Sequence, residues 1–201
     1  MSVKTTFYLQ YGKRFLDCFL ILLTAGFSIA IILLISAIYL LTCNWPLLFK
    51  QKRIGRGEKI FKMYKFRTLN GNDTMSLPER TFWLGKIMRA TNLDELPQIW
   101  NVLKGDMSLI GPRPLPVEYL DYITPDQRKR HNLLPGISGL AQVTGKNSIF
   151  WQQKFDLDIQ YLQQVSFTLD CAILIKTCIL ILAFKKDKSF YEHSLVHDKR
   201  K

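Results

Sequence analysis

The chain has 201 residues, a formal net charge of +12 and a pI near 9.6. That length suits one domain, alone or with a membrane anchor, and the charge points to anionic partners: phosphates, nucleic acid or an acidic membrane surface. Cys18, Cys43, Cys171 and Cys178 lie in apolar runs without a C-x-x-C pair or a histidine cluster, which excludes a disulfide scaffold and a structural zinc site and fits reduced packing residues in a cytosol-facing protein.

From Cys18 to Cys43 no residue is charged. The run is too long for a signal-peptide core and lacks an A-x-A cleavage site, so it is expected to be retained as a membrane segment. Lys4, Lys13 and Arg14 precede it, and Lys50, Lys52, Arg53, Arg56 and Lys59 follow. Basic flanks mark the cytoplasmic side, and here both flanks are basic. A straight helix over the run measures roughly 39 Å against a hydrocarbon core of about 30 Å. A tilted span fits, and so does a helix that breaks, dips in and returns on the same side. Charge symmetry favours the re-entrant form, with Gly26 and Ser28 as the break point.

Residues 50–69 carry eight Lys or Arg and one acid. From Ile60 apolar and basic residues partly alternate, as in short strands with one buried face. Two readings stand together: a solvated basic edge, and a basic wall near an anionic substrate. Ser76-Leu-Pro-Glu79 has the pattern of a capping box with proline in the first turn, and predicts a helix over about 78–90 with Phe82, Ile87 and Met88 inward.

The stretch TNLDELPQIW, residues 91–100, places two carboxylates side by side. Proline is tolerated only in the first turn of a helix, so Pro97 sets the helix start at about Asn92 to Leu96. Leu96, Ile99, Trp100 and Leu103 follow at helical spacing, and Gly105 ends the helix. Asp94 and Glu95 then sit in or beside the first turn, where the dipole favours ionised carboxylates and attracts phosphate. This predicts a depressed pKa for Asp94. Capping is one role for such a pair; a nucleophile beside a metal-holding carboxylate is the other. Downstream, the prolines of GPRP stiffen a turn and fix where Arg113 points, for phosphate binding or for a loop salt bridge.

Thr124-Pro-Asp-Gln127 starts another capped helix. Residues 135–147, PGISGLAQVTGKN, form a glycine-punctuated loop, either approaching a nucleotide with its backbone or merely connecting elements. FDLDIQYL, residues 155–162, reads as a helix in which Asp158 either pairs with an active-site arginine or is a solvated charge. Cys171 to Phe184 is too short to span and is expected to be an interfacial amphipathic helix. The polar tail beyond it holds His193 and His197 at helical spacing, without a third metal ligand. The chain thus divides into an anchoring segment (1–47), a main domain (48–184) and a tail (185–201). There is no Walker loop, no G-x-G-x-x-G and no nucleic-acid module.

Taken together, KFRTL, LDELPQIWNVLKGDMSLIGPRP, PGISGLAQV and FDLDIQYL, in this order after one apolar segment, resemble the bacterial sugar transferase family, the monotopic polyprenol-phosphate phosphoglycosyl transferases. The resemblance runs from about Lys13 to Phe184 and implies a mixed α/β, mainly helical fold, with a re-entrant N-terminal helix and a small cytosolic catalytic domain at the bacterial cytoplasmic membrane. It implies a UDP-sugar donor, a polyprenol (undecaprenyl) phosphate acceptor, Mg²⁺, release of UMP and a covalent phosphosugar-enzyme. Carried residue by residue, Asp94 matches the nucleophile, Glu95 the Mg²⁺ ligand, and Lys65, Arg67, Arg89 and Arg113 the basic substrate-binding positions. Asp158 joins them through the arginine pairing above. Membrane lipids are expected partners, nucleic acid is not, and a homodimer is left open. Three departures from the family pattern stand out: Ile29 follows Ser28 where proline is usual, Leu140 replaces a common tryptophan and Leu134 a frequent basic residue. Two other classes fit parts of the pattern, a non-catalytic adaptor for anionic lipid and a Mg²⁺-dependent membrane phosphohydrolase.

Overall fold

A computed structural model describes residues 6–42, 45–71, 76–145 and 149–183. Cys43 and the tail expected at 185–201 lie outside the described residues. The fold is mixed α/β and mainly helical. Helix α1 (Lys13–Leu41) is preceded by a π-helical turn, Tyr8–Gly12. Strands β1 (Leu48–Ile54) and β2 (Ile60–Phe66) form an antiparallel hairpin in which Lys52 faces Lys62 and Ile54 faces Ile60. The alternation from Ile60 is kept only in part: Lys62 is exposed and Met63 and Phe66 are buried, but those two lie on opposite faces of the strand and Ile60 is itself exposed.

One predicted helix is two. The Ser76–Glu79 box is made, with the Glu79 carboxylate accepting from the Ser76 N–H and hydroxyl at 2.9 and 2.6 Å. Helix α2 (Leu77–Arg80) nevertheless lasts one turn, and α3 (Trp83–Thr91) starts afresh. Between them Thr81 is extended and bridges to Leu69, while the Asn70 N–H donates to the Arg80 carbonyl. Strand-like pairing with a distant segment thus breaks the local helical preference. The restart sets a new frame: Leu84, Gly85 and Met88 are buried, whereas Ile87 faces outward.

Helix α4 (Gln98–Lys104) follows Pro97 and stops at Gly105, whose φ of +84° suits a residue without Cβ. Its apolar stripe is split: Leu96 and Ile99 pack on the core, Trp100 and Leu103 are exposed, and Gln98, Asn101 and Val102 are buried. Asn101 explains why Trp100 and Leu103 turn outward. Its Oδ1 accepts from the Tyr64 N–H at 3.1 Å, and its Nδ2 donates to the Lys62 carbonyl at 2.7 Å, joining α4 to β2.

Strands β3 (Ser108–Ile110) and β4 (Gly136–Ser138) pair in parallel. The chain between them holds α5 (Pro125–Arg128), capped by Thr124 and Gln127 as expected. The glycine-punctuated stretch becomes β4 and α6 (Leu140–Thr144). Its glycines serve packing: a Cβ at Gly136 or Gly139 would collide with the backbone of Gly111. Helices α7 (Trp151–Gln164) and α8 (Phe167–Leu182) complete the fold. On α8, Ile173 packs into the core, while Phe167, Ile175, Ile179 and Leu182 are exposed.

Helix α1 is long and apolar enough to cross a membrane, yet both of its ends are bound to the same domain. Near its start, Lys13 Nζ lies 2.6 Å from Asp170 Oδ2 on α8, the Tyr161 hydroxyl of α7 donates to Asp170 Oδ1 at 2.6 Å, and Asp17 Oδ1 accepts from the Leu109 N–H at 3.0 Å. Arg14 donates to the carbonyls of Val102 and Leu103, capping the C-terminus of α4 where a cation is favoured. Toward its other end, Ile35 and Tyr39 pack on Phe66, Leu84 and Met88, and the Tyr39 hydroxyl donates to the Arg67 carbonyl. Leu22, Leu23, Phe27, Ile29, Leu33 and Leu34, between the two docked ends, are exposed. The helix runs unbroken through Gly26 and Ser28. With Ile29 in place of proline, the hydrogen-bond ladder keeps its donor there.

Candidate active site

Asp94 and Glu95 occupy a 3₁₀ turn, Leu93–Glu95, between α3 and α4. Asn92, at φ +57°, ends α3 and reverses the chain. Leu93 and Leu96 pack into the cluster of Tyr39, Phe66 and Met88. The turn is therefore held by the apolar residues on either side of the acids. Lys65, near the end of β2, brings Nζ to 2.5 Å from Glu95 Oε1. Arg113, from the GPRP turn, brings Nη1 to 4.0 Å from the same oxygen. Arg89, in the last turn of α3, donates from Nε to Thr68 Oγ1 at 2.8 Å, close enough for the Asp94 charge to act on it. Arg67 follows β2: its N–H donates to the Leu47 carbonyl, its own carbonyl accepts from Tyr39, and its charge and that of Asp94 both act on the Tyr39 hydroxyl.

Five of the seven residues singled out in the sequence thus converge: Asp94, Glu95, Lys65, Arg89 and Arg113, with Arg67 at the margin beside Tyr39. Asp158 stands apart from this group. It is buried on α7, where its Oδ2 receives Nε and Nη2 of Arg130 at 2.9 and 2.6 Å. Arg130 Nη2 also donates to the Arg113 carbonyl at 2.8 Å. Asp158 therefore reaches Arg113 through its backbone and at one remove. Arg53, Tyr39, Thr68 and Arg130 complete the surroundings and were not singled out. Each is remote in sequence from the group it serves, and no local spacing marks it.

The two carboxylates differ electrostatically. Burial, reinforced by the neighbouring Glu95 charge, pushes Asp94 up to about 6, although Lys65 and Arg89 pull it down. This corrects the expected depressed value: a three-residue 3₁₀ turn offers little dipole, and burial outweighs it. Burial also works to raise Glu95, but Lys65, Arg113 and Arg53 outweigh it and hold that carboxyl below its ordinary range. Near pH 7 both are mainly ionised, Glu95 more completely. Environments that push paired carboxyls apart commonly separate their chemical roles.

No group of three or more His, Cys, Asp or Glu able to hold a metal occurs among the described residues. Two adjacent carboxylates nevertheless suit Mg²⁺, which takes one or two protein carboxylates and completes its shell with water and substrate phosphates. The donor set fits that ion.

The site is thus an acidic pair ringed by cations, in a domain that carries one helix long and apolar enough to cross a membrane. Residues 8–184 match the family described as bacterial sugar transferase, and the chain belongs to that family. It is 42% identical over 175 residues to "Uncharacterized sugar transferase EpsL" of Bacillus subtilis, covering 85% of this chain and 87% of that one. It is 36% identical over 180 residues to "UDP-glucose:undecaprenyl-phosphate glucose-1-phosphate transferase" of Caulobacter vibrioides, covering 82% and 67%. It is 39% identical over 150 residues to "UDP-N-acetylgalactosamine-undecaprenyl-phosphate N-acetylgalactosaminephosphotransferase" of Aeromonas hydrophila, covering 68% of this chain but only 36% of that longer protein.

Proposed function

We propose that the chain transfers a sugar-1-phosphate from a UDP-sugar to a polyprenol phosphate, undecaprenyl phosphate in bacteria, at the cytoplasmic face of the membrane, as the first membrane step of a glycan assembly. The observation that carries this is the Asp94–Glu95 turn, whose acids are pushed apart in pKa among Lys65, Arg89 and Arg113. The printed names of the Caulobacter and Aeromonas relatives support the reaction class.

In this reading an Asp94 carboxylate oxygen bonds to the β-phosphorus of the donor. The bond from that phosphorus to the bridging oxygen breaks, and UMP leaves with the electron pair. A phosphate oxygen of the polyprenol phosphate then bonds to the same phosphorus, and the acyl-phosphate bond from that phosphorus to the Asp94 oxygen breaks. The carboxylate is regenerated, and polyprenol diphosphosugar forms. Asp94 acts as an anion, so it needs no general base. Lys65, Arg89 and Arg113 neutralise phosphate charge and orient the diphosphate, the dominant contribution a protein makes to phosphoryl transfer. Mg²⁺ bound at Glu95 would supply further neutralisation of the diphosphate.

The same proposal includes the membrane geometry. The exposed middle of α1, between two ends docked on one domain, would embed in the bilayer from the side of that domain, and a return to that side would need the unbroken helix to bend within the membrane. The outward Trp83, Ile87, Trp100 and Leu103, with the apolar face of α8, would lie at the interface, tryptophans at headgroup level.

The test is nucleotide release. Detergent-solubilised protein is given Mg²⁺ and a panel of UDP-sugars, with and without undecaprenyl phosphate. Lipid-dependent UMP turnover, with a single-turnover burst in its absence, is expected. Release of UDP would refute the assignment of Asp94, and free sugar phosphate would indicate hydrolysis.

A further inference from the structure

Tyr39, near the end of α1, has no exposed surface. Its ring stacks on Phe66 with centroids 6.1 Å apart and meets Phe82 edge-on at 5.9 Å. Phenylalanine would serve that packing equally well. The hydroxyl is the added feature, and it donates to the Arg67 carbonyl. Strand β2 ends at Phe66, so this carbonyl belongs to the peptide between Arg67 and Thr68, beyond the last strand residue. The charges of Arg67 and Asp94 both act on the same hydroxyl, which lies within electrostatic reach of the acidic pair.

The segment Lys65–Thr68 sets three cations. Lys65 Nζ lies 2.5 Å from Glu95 Oε1. Thr68, 6% exposed, accepts from Arg89 Nε through Oγ1 at 2.8 Å. Arg67 Nε is buried without a hydrogen-bond partner, so no bond through that nitrogen fixes its side chain. Lys65 and Arg89 thus stand beside the acids and Arg67 at their margin, each placed by the course of this backbone. Three elements hold that backbone. The Leu47 carbonyl accepts from the Arg67 N–H at 3.0 Å. Helix α3 approaches through Gly85, where a Cβ would collide with the Thr68 backbone. Helix α1 supplies the Tyr39 hydroxyl. Preorganised charges keep their effect only when held to within about 0.5 Å of the productive geometry.

We infer that Tyr39 is a positioning residue of the donor site: its hydroxyl fixes the Arg67–Thr68 peptide and, through it, the cations that meet the donor's diphosphate. Tyr39 touches no substrate and transfers no proton in this role; it acts through the backbone. Its ring serves the other half of the site. Leu93 and Leu96, on either side of Asp94 and Glu95, pack in the same cluster as Tyr39. The acidic turn and the cationic segment therefore meet on one side chain of α1. The apolar helix is more than an anchor, because the end docked on the domain sets the spacing between the acids and their cations. A phenylalanine here would fill the space and leave the Arg67 carbonyl without this donor. The inference rests on the reading of the donor as a UDP-sugar.

The experiment is the single-turnover burst of UMP from the detergent-solubilised full chain with Mg²⁺ and no lipid, using the UDP-sugar of the panel that wild type turns over. Burst amplitude counts active enzyme, and the burst rate constant at limiting donor reports the site itself. Tyr39→Phe is expected to slow that rate constant about tenfold with the amplitude kept, the factor that one hydrogen bond of about 1.4 kcal/mol supplies. Thr68→Val, which keeps the volume and removes the acceptor of Arg89, is expected to slow it as well. The double variant should be slower than either by less than the product of the two effects, since both act on one segment. A Tyr39→Phe enzyme with reduced amplitude and an unchanged rate constant is merely less folded, and overturns the inference. Effects that multiply in full overturn the route through the Arg67–Thr68 peptide. If Tyr39→Phe does not fold, Thr68→Val leaves α1 docked, and an unchanged rate constant in that variant overturns the inference. Each of these results leaves the donor reading standing. Wild type that releases UDP in place of UMP overturns the donor reading and the inference with it.

Discussion

Replacing Asp158 with alanine isolates the cost of one buried charge. The Arg130 and Asp158 side chains are 2% and 4% exposed, and Arg130 reaches the carboxylate through two nitrogens. Burial pushes Asp158 above the usual carboxylate range even beside Arg130, a sign that desolvation weighs heavily on this pair. Removing one partner strands a guanidinium in the core, at about 3–5 kcal/mol. Converting both residues, as Arg130→Met with Asp158→Leu, removes the stranded charge and is expected to recover most of that loss. The donor reaction should not recover with it. The Nη2 bond to the Arg113 carbonyl at 2.8 Å survives in the alanine variant, where Arg130 is kept, and is lost when Arg130 becomes methionine, and with it the hold on the GPRP turn. Urea unfolding in mild detergent, followed by tryptophan fluorescence with Trp151 buried on α7 as one reporter, measures the stability terms. The donor KM measures the turn. A single variant that loses less than about 1 kcal/mol, or a double variant as unstable as the single, would refute the reasoning.

Asp94→Asn is expected to lower turnover by about 10⁴ or more with an unchanged unfolding midpoint; near-normal turnover would remove Asp94 as the nucleophile. Arg113→Ala should lower kcat/KM for the UDP-sugar by roughly 10²–10³, the loss typical of one charge-stabilising donor; unchanged donor kinetics would make it a structural arginine. His131 titrates near 4 when folded and near 6.5 when unfolded, so between those values the unfolded chain binds more protons. Its contribution is therefore complete above about pH 6.5 and is lost as pH falls toward 4, by up to about 3 kcal/mol. Asp94, raised by burial, works in the opposite sense, so the measurement is the difference between wild type and His131→Gln at pH 7 and pH 4.5; parallel curves would contradict it. Lys13→Met should loosen α1 from α8 by leaving Asp170 buried beside two tyrosine hydroxyls, detected as faster proteolysis near residue 12 in detergent; unaltered protection would show that the anchor holds without the ion pair.

Much of this protein is written in short-range chemistry. The Thr124–Gln127 cap, the stop at Gly105 and the placing of Asp94 and Glu95 just ahead of Pro97 all depend on residues a few positions apart. Their energies do not need the rest of the fold, so they are legible in the chain. What only the tertiary structure decided depends on partners far away. Thr81 leaves the helix because Leu69 pairs with it, and α4 turns Trp100 outward because Asn101 satisfies the backbone of β2. Asp158 finds Arg130 at a separation of 28 residues, and Lys13 finds Asp170 at 157. Asp94 is raised where its position ahead of a helix predicts a depressed value. Local caps and dipoles are worth about 0.3–2 kcal/mol, whereas desolvating a charge or stranding its partner costs several, so burial by distant residues decides the charge state of the site.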